Sequence, residues 1–145
     1  MTAPLPRDVA IRLPRAMVRL RARLRAESAP GDMPWTWSQI STLNRIAEEG
    51  PTNVSALAVA EHVRPQSMAD TVAALRQEGL VTASADPTDG RKTLMSITPA
   101  GRKLISNIRP VREAWLEGAI EQHLTAADRR TLQKAADIME RLADC

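Results

Sequence analysis

The sequence predicts a mainly α-helical fold with a small β-wing, centred on a winged helix-turn-helix between residues 53 and 101. Two short helix patterns in this stretch have almost no linker between them. A hairpin pattern with Asp-Gly at its tip follows, and Thr98-Pro99 then begins another helix. Aromatic residues make up only 2% of the chain, so the core must be aliphatic, which favours helices over a β-sandwich. The second helix of such a unit fits the major groove of DNA.

The size and composition of the chain favour a small globular protein. Its 145 residues suit one domain, or one domain with a dimerisation arm. No apolar run approaches membrane-spanning length, and the Arg- and Pro-rich N-terminus has no apolar segment of the secretory type. Cys145, the single cysteine, excludes an intramolecular disulfide and a cysteine-based metal cluster. These features predict a cytoplasmic protein.

Charge is distributed unevenly along the chain, although its net value is only +3. Residues 1–30 carry a net charge of +5, residues 31–110 are neutral, and residues 111–145 carry −2. The basic excess permits a polyanionic partner. The neutral central segment argues against strong nonspecific binding to DNA.

The first helix is predicted from Asp8 to Glu27, because its apolar residues recur with helical spacing. Residues 1–7 are expected to be frayed, and residues 28–34 have the composition of a loop. Pro14 must lie in the first turn of the helix or kink it, since a proline further in removes a backbone donor. The apolar stripe is Leu13, Met17, Leu20 and Leu24, and the arginines on the other faces are Arg12, Arg15, Arg19, Arg21, Arg23 and Arg25.

Three more helices are predicted before the wing, from their start and stop signals. The start signals are a capping-box pair at Thr36 and Gln39, an N-cap at Asn53 and a first-turn proline at Pro65. The stop signals are Gly50 and Gly79. The predicted inward-facing residues are Ile40, Leu43, Ile46, Ala47, Leu57, Ala58, Met68, Val72 and Leu75. The outward face of the fourth helix then consists of Gln66, Ser67, Ala69, Asp70 and Ala73.

The wing is predicted from two strand patterns, Leu80–Ser84 and Lys92–Thr98, which are separated by turn residues. A fifth helix follows, and Pro110 is expected to bend it near Asn107. Its predicted stripe is Leu104, Ile108, Val111, Trp115 and Ala119. A sixth helix is capped by Thr125 with Asp128, and its stripe is Leu132, Ala135, Met139 and Leu142.

The first helix and the last two carry apolar stripes at opposite ends of the chain. A helical hairpin of this length has too little core of its own to bury all of them. We therefore expect these stripes to pack on each other and on a second copy of the chain. A two-fold dimer would hold two reading helices about 34 Å apart, which is one turn of DNA.

The wing and the helix before it also carry a family resemblance. The most specific segment is D-P-T-D-G-R-K at 86–92 with T-L-M-S-I-T-P-A-G at 93–101, preceded by R-P-Q-S-M-A-D-T-V-A-A-L-R-Q-E-G-L-V at 64–81. With these segments, the chain resembles the MarR family of bacterial winged helix-turn-helix transcription regulators over essentially its full length. The resemblance implies a homodimer bound to a pseudo-palindromic DNA operator, usually as a repressor that a small-molecule effector releases. It also implies three regions: residues 1–34 and 102–145 as the dimerisation arm, and residues 35–101 as the DNA-binding domain.

The resemblance assigns DNA contacts to the fourth helix and the wing. Arg91 would enter the minor groove, and Asp86 and Asp89 would brace the wing, with Asp89 orienting Arg91. The full set of implied DNA-binding residues is Arg64, Gln66, Ser67, Ala69, Asp70, Arg76, Arg91 and Lys92.

Each of these assignments has a plainer alternative. Arg91 can be an exposed wing-tip charge, and Gln66 and Ser67 suit the first turn of any helix. Asp70 stands where many relatives carry a basic residue. It can accept from the amino group of cytosine, repel phosphates, or pair locally with Arg64 or Arg76.

The resemblance also implies a ligand cleft where the arm meets the DNA-binding domain. Arg15 or Arg19 can hold a small carboxylate there, because a guanidinium binds carboxylates with two hydrogen bonds. An anionic aromatic compound would suit such a cleft. The alternative is that these arginines form a solvated face and that the Trp and Met residues are core. The candidate apolar lining is Met17, Trp35, Trp37 and Trp115.

No motif of an enzyme, a metal site or a cofactor site is found in the sequence. It has no phosphate-binding glycine loop, no His-Glu-x-x-His and no nucleophile elbow. His62 and His123 have no partners at metal-ligand spacing. We therefore expect no enzymatic activity, no cofactor and no metal. The alternative to a DNA-binding regulator is a small-molecule- or protein-binding module on the same fold with weak affinity for DNA.

Overall fold

The computed structural model describes residues 2–28 and 34–145, and in these residues it confirms a mainly α-helical fold with a small β-wing. Most of the predicted loop at 28–34 lies outside the described residues. No helix in the described ranges is long and apolar enough to cross a membrane. The elements are α1 (Pro6–Ser28), α2 (Trp37–Glu49), α3 (Val54–Ala60), α4 (Pro65–Gln77), β1 (Val81–Ala85), β2 (Thr93–Ile97), α5 (Pro99–His123) and α6 (Ala126–Ala143).

The chain divides into two compact units. Unit 1 comprises residues 1–28 and 110–145, and unit 2 comprises residues 29–109. The buried apolar core of the described residues lies in unit 2, where α3 and α4 pack on each other, α2 packs on α4, and both strands pack beneath these helices. Its main residues are Leu43, Ile46, Leu57, Ala58, Met68, Val72, Leu75, Leu80, Val81, Met95 and Ile105.

Helices α2, α3 and α6 begin at the predicted caps. Thr36 accepts from the backbone N–H of Gln39 at 3.2 Å, and the Gln39 side chain accepts from the Thr36 N–H at 2.9 Å. Asn53 Oδ1 accepts from the N–H of Ala56 at 2.8 Å, and Thr125 forms a second capping box. These bonds satisfy backbone donors that the first helical turn leaves free, which fixes where each helix begins.

The turn between α3 and α4 contains the one non-glycine residue with a positive φ in the described chain, His62, at φ 53°. Gly79 follows α4 at φ 72°, and Gly50 ends α2 at φ 81°. Glycine reaches this conformation without a Cβ clash, whereas histidine does so at some cost. His62 allows α4 to start three residues after the left-handed turn, at Pro65.

The wing is an antiparallel pair of strands, with Val81 opposite Ile97 and Ala85 opposite Thr93. The structure adds a third backbone partner that the sequence pattern does not reveal. Thr52 donates to Met95 at 3.1 Å and accepts from it at 2.6 Å, just before α3 begins. The wing is therefore joined to the helix-turn-helix by backbone hydrogen bonds as well as by packing.

Three expectations need correction. Helix α1 begins at Pro6, inside the segment expected to be frayed, so Pro14 lies well inside the helix and not in its first turn. Strand β1 lies one residue later in the chain than predicted, and β2 is one residue shorter at each end. Pro110 was expected to interrupt helix α5, but the helix is continuous through it, and the bend near Asn107 stays a prediction.

The buried face of α5 also differs from the predicted stripe. Gly101, Ile105 and Ile108 are buried, whereas Val111 is 50% exposed. The reason is the close approach at Gly101. A Cβ built there would overlap the carbonyl oxygen of Leu80, so only glycine allows the first turn of α5 to lie against the wing. That contact turns the helix so that Ile105, one turn later, faces the core.

Candidate nucleic-acid interface

Helix α4 is packed on one side and open on the other. Met68, Val72 and Leu75 are buried against α2, α3 and the wing. The opposite face is exposed at Gln66, Ser67, Asp70 and Ala73 and half-buried at Ala69. Helical periodicity predicts this division. A rigid helix with an exposed polar face can enter a DNA groove without losing its core contacts.

The exposed face carries an internal side-chain pair. The amide nitrogen Nε2 of Gln66 donates to Oδ1 of Asp70 at 3.1 Å. The residues are four apart, so their side chains lie on adjacent turns. No ion pair links Asp70 with Arg64 or Arg76 in the described ranges. The local partner of Asp70 is therefore Gln66, and not either of the arginines suggested by the sequence.

Two exposed arginines flank this face. Arg64 is the N-cap residue of α4, where its side chain makes no capping bond, and Arg76 lies in the last turn. At 1.5 Å per residue, the two Cα atoms are separated by roughly 18 Å along the axis. Cations at both ends of a reading helix can contact phosphates on either side of a groove.

The wing tip is held in shape by side-chain and backbone bonds. Asp86 accepts from the hydroxyl of Thr88 at 2.7 Å and from its N–H at 2.8 Å. These two bonds, the hydroxyl first, hold the pKa of Asp86 below its ordinary value. The N–H of Asp86 donates to the backbone carbonyl of Lys92 at 3.0 Å, and the N–H of Lys92 donates to the backbone carbonyl of Asp89 at 2.9 Å. The tip is thus a loop whose conformation is fixed by hydrogen bonds between its own residues.

Arg91 projects from this loop. Its side chain is 93% exposed, and its Nε donates to Oδ1 of Asp89 at 3.3 Å. The backbone N–H of Arg91 donates to the same oxygen at 3.1 Å. One carboxylate therefore orients both the backbone and the side chain, and the outer part of the guanidinium stays available to a partner.

A part-buried network positions the end of α3, and sequence reasoning missed it. Glu61 Oε1 accepts from Ser41 Oγ at 3.1 Å and from Arg45 Nε at 3.0 Å, and Arg45 also pairs with Glu49 at 2.6 Å. The bonds to Glu61, followed by those to Glu49, raise the pKa of Arg45. The network ties α2 to the residue before the turn into α4. No local pattern predicts it, because the partners are 16 and 20 residues apart.

The candidate ligand-binding residues are divided between the two units. Trp35 and Trp37 are half-buried in unit 2, and Trp35 packs against the core. The other candidates belong to unit 1. One of them is Trp115, whose ring centre lies 5.7 Å from the guanidinium of Arg23. The remaining candidates are exposed residues of α1, namely Arg15, Met17 and Arg19.

No group of three or more His, Cys, Asp or Glu side chains suited to a metal ion occurs in the part of the chain that the structure describes. His62 and His123 are both exposed. Exposed charged side chains do occur at both ends of α4 and at the wing tip.

Known proteins are similar to this chain in both sequence and fold. The MarR family model matches residues 35–93, which span α2 to the start of β2. An HTH-type transcriptional regulator of Mycobacterium bovis is 36% identical over 129 residues, covering 89% of this chain and 88% of the relative.

Two solved structures superimpose along nearly the whole chain. A transcriptional regulator from Pseudomonas aeruginosa is 31% identical, with a TM-score of 0.76 over 98% of this chain and 99% of its own. A protein from Mycobacterium tuberculosis is 26% identical, with a TM-score of 0.82 over 98% and 97% of the two chains. Members of the family are transcription regulators that bind DNA and are not enzymes. The chain belongs to the MarR family of transcription regulators.

Proposed function

We propose that the protein is a cytoplasmic homodimeric repressor that binds a pseudo-palindromic operator and is released by a small ligand. The observation that carries this proposal is that one compact unit holds both the exposed polar face of the packed helix α4 and the braced wing that presents Arg91. In this assignment α4 enters the major groove through Gln66 and Ser67, and Arg91 enters the adjacent minor groove. Arg64, Arg76 and Lys92 contact phosphates.

The homodimer is supported by what unit 1 leaves uncovered. None of its described side chains is buried, although it contains all of α1, the second half of α5 and all of α6. Val18 is 67% exposed and Leu142 is 59% exposed. A second copy would remove these apolar groups from water. Residues 1–34 and 102–145 then form the dimerisation arm, and residues 35–101 the DNA-binding domain.

Release by a ligand is supported by two proteins of the same fold. DNA binding of Bordetella bronchiseptica BpsR is regulated by 6-hydroxynicotinic acid, and PcaV of Streptomyces coelicolor was solved in complex with its natural ligand. An anionic aromatic compound is the class we propose for this chain. Arg15 or Arg19 would hold its carboxylate, and the apolar contacts would come from Met17, Trp35, Trp37 and Trp115.

A binding selection tests the proposal directly. The purified protein is mixed with its fragmented genome and excess nonspecific competitor, and the recovered fragments are sequenced. A shared pseudo-palindrome with half-sites about 34 Å apart is expected. With six to ten phosphate contacts, affinity should fall by about three to five decades between 50 and 200 mM salt.

One observation favours a second function, a ligand- or protein-binding module with weak affinity for DNA. Residues 31–110 carry eight basic and eight acidic side chains, and one of the acids, Asp70, lies on the proposed reading face. This module would be favoured if a folded dimer enriches no DNA fragment in the selection. It would also be favoured if the affinity for DNA does not change with salt. The variant Asp70→Arg then tests whether the acid alone weakens binding to DNA.

A further inference from the structure

We infer that Gln66 and Asp70 act as one recognition unit that selects adenine in the operator half-site, with Asp70 positioning the amide of Gln66. This inference rests on the proposed function, in which α4 reads the major groove. It names the base that the helix prefers and a role for the acid that otherwise opposes DNA binding. Asp70 is a positioning residue here because it acts through Gln66.

The geometry leaves the adenine-reading edge of Gln66 free. A glutamine amide has two N–H donors and one carbonyl acceptor. Adenine is recognised when the carbonyl accepts from N6 and one N–H donates to N7. That N–H lies on the same side of the amide as Oε1. The other N–H can satisfy the 3.1 Å bond to Asp70, so both interactions can exist together.

The charge of Asp70 fixes which way the amide faces. An ionised carboxylate only accepts hydrogen bonds, so it attracts Nε2 and repels Oε1. Rotating the amide by 180° would lose a charge-assisted bond and place two oxygens against each other. With Nε2 held toward Asp70, the amide has a single orientation, so the positions of its acceptor Oε1 and its free N–H relative to the base are fixed. Guanine offers acceptors at both N7 and O6, and the acceptor of Gln66 would then face one of them.

The rest of the exposed face agrees with this preference. Guanine is usually read by arginine or lysine, and neither occurs on α4 between Gln66 and Ala73. Ala73 is exposed on the turn after Asp70, where a methyl group can contact the thymine methyl. The single arginine of α4, Arg76, lies in the last turn.

The test combines a selection from random duplexes with binding measured on the selected site. Wild type and Gln66→Ala are selected in parallel, and the base position whose preference disappears in Gln66→Ala is the one that Gln66 reads. We expect adenine there in the wild type. Replacing it by guanine should weaken binding by about 5- to 150-fold, as for other bidentate contacts.

Asp70→Asn is the informative variant. The new amide can donate to Gln66 Oε1, which would turn the Gln66 amide and occupy the acceptor that adenine needs. The ratio of the affinity for the adenine site to that for the guanine site should fall by roughly two- to tenfold. This effect lies between the stabilisation by an exposed i,i+4 side-chain pair and that by a hydrogen bond to a charged group. The matched control is Glu78→Gln, which removes one negative charge from the exposed C-terminal end of α4. It should change affinity for all sequences alike and leave the ratio unchanged.

The outcomes separate this inference from the proposed function. An enriched site without adenine at the Gln66 position, or a ratio that Asp70→Asn leaves unchanged, overturns the inference while DNA binding stands. A selection that enriches no sequence with folded wild-type protein overturns both. An adenine preference that Asp70→Asn reduces and Glu78→Gln preserves supports the pair as one recognition unit.

Discussion

The carboxylate of Asp89 accepts from both the backbone N–H and the Nε of Arg91, at 3.1 Å and 3.3 Å. An arginine that is 93% exposed would otherwise sample many rotamers, and DNA binding would have to restrict them. The bond reduces that cost before any partner arrives. The side chain stays exposed, so a narrow groove can accept the terminal nitrogens of the guanidinium.

Arg91→Ala should weaken operator binding by about 1–3 kcal/mol and leave the dimer intact, since the side chain has no contact with the core. Fluorescence anisotropy on the selected operator measures the first effect, and sedimentation measures the second. The control is Arg130→Ala, which removes an exposed arginine of α6, far from the wing in sequence. It should leave the affinity for the operator unchanged. Equal affinity of Arg91→Ala and wild type would remove the role of the wing.

Gly101→Ala should lower the free energy of unfolding by about 1–3 kcal/mol, because the added Cβ overlaps the carbonyl of Leu80 and lies 2.8 Å from Cγ1 of Ile97. Urea unfolding followed by circular dichroism checks this. Gly118→Ala is the same change in the same helix, where a Cβ meets no atom within 4 Å. It should be neutral or stabilising by about 0.5–1 kcal/mol. Equal stability of the two variants would contradict the close approach.

His62→Val should lower the free energy of unfolding by about 1–2 kcal/mol, because a β-branched residue tolerates φ 53° less well than histidine does. His62→Gly should be at least as stable as wild type, since glycine adopts this φ without strain. The imidazole is exposed, so neither change removes core packing. Urea unfolding of both variants measures these changes. A valine variant as stable as the glycine variant would contradict the positive φ of residue 62.

The pKa of Asp128 is held below its ordinary value by the Thr125 hydroxyl, at 2.6 Å, and by the Thr125 N–H, at 3.0 Å. A carboxyl whose folded pKa is lowered stabilises the fold fully above the unfolded pKa, about 3.9. That contribution is lost as pH falls through the folded pKa. Thr125→Val should therefore raise the pKa of Asp128 toward the ordinary value, as measured by NMR titration of its carboxyl carbon.

Thr131→Val provides the control for this titration. The hydroxyl of Thr131 donates to the carbonyl of Ala127 at 3.0 Å and not to a carboxylate, so its loss should leave the titration of Asp128 in place. A midpoint for Asp128 that is the same in wild type and Thr125→Val would show that the capping bond does not form in solution.

What could be predicted from the sequence is what depends on near neighbours in the chain. Thr36, Asn53 and Thr125 mark helix starts because a cap needs only the next three residues. The exposed face of α4 follows from a period of 3.6 residues. The Thr52–Met95 bridge and the Arg45–Glu61 pair could not be predicted, because each joins residues that meet only after the chain has folded. The inward face of α5 was wrongly placed for the same reason, since a distant carbonyl at Leu80 sets it.

The candidate site divides along the same line. The wing residues from Asp86 to Lys92 form a local loop, so their sequence determines most of their bonds. The ligand-binding residues proposed from the sequence come from α1, α2, α5 and the segment before α2, and they belong to both units. Their arrangement depends on how elements far apart in the chain assemble, which periodicity does not describe.

The absence of buried side chains from the described part of unit 1 has a consequence for gene dosage. In the proposed homodimer, unit 1 would acquire its core by pairing and so gain stability from the concentration of chains, whereas unit 2 has a core of its own at any dilution. On dilution over a roughly hundredfold range, the melting of unit 1 should shift to lower temperature while that of unit 2 stays fixed. A cell that makes fewer copies would therefore have fewer chains and, among them, a smaller fraction paired. Operator occupancy would then fall more steeply than protein level, so that modest changes in expression have large effects on transcription.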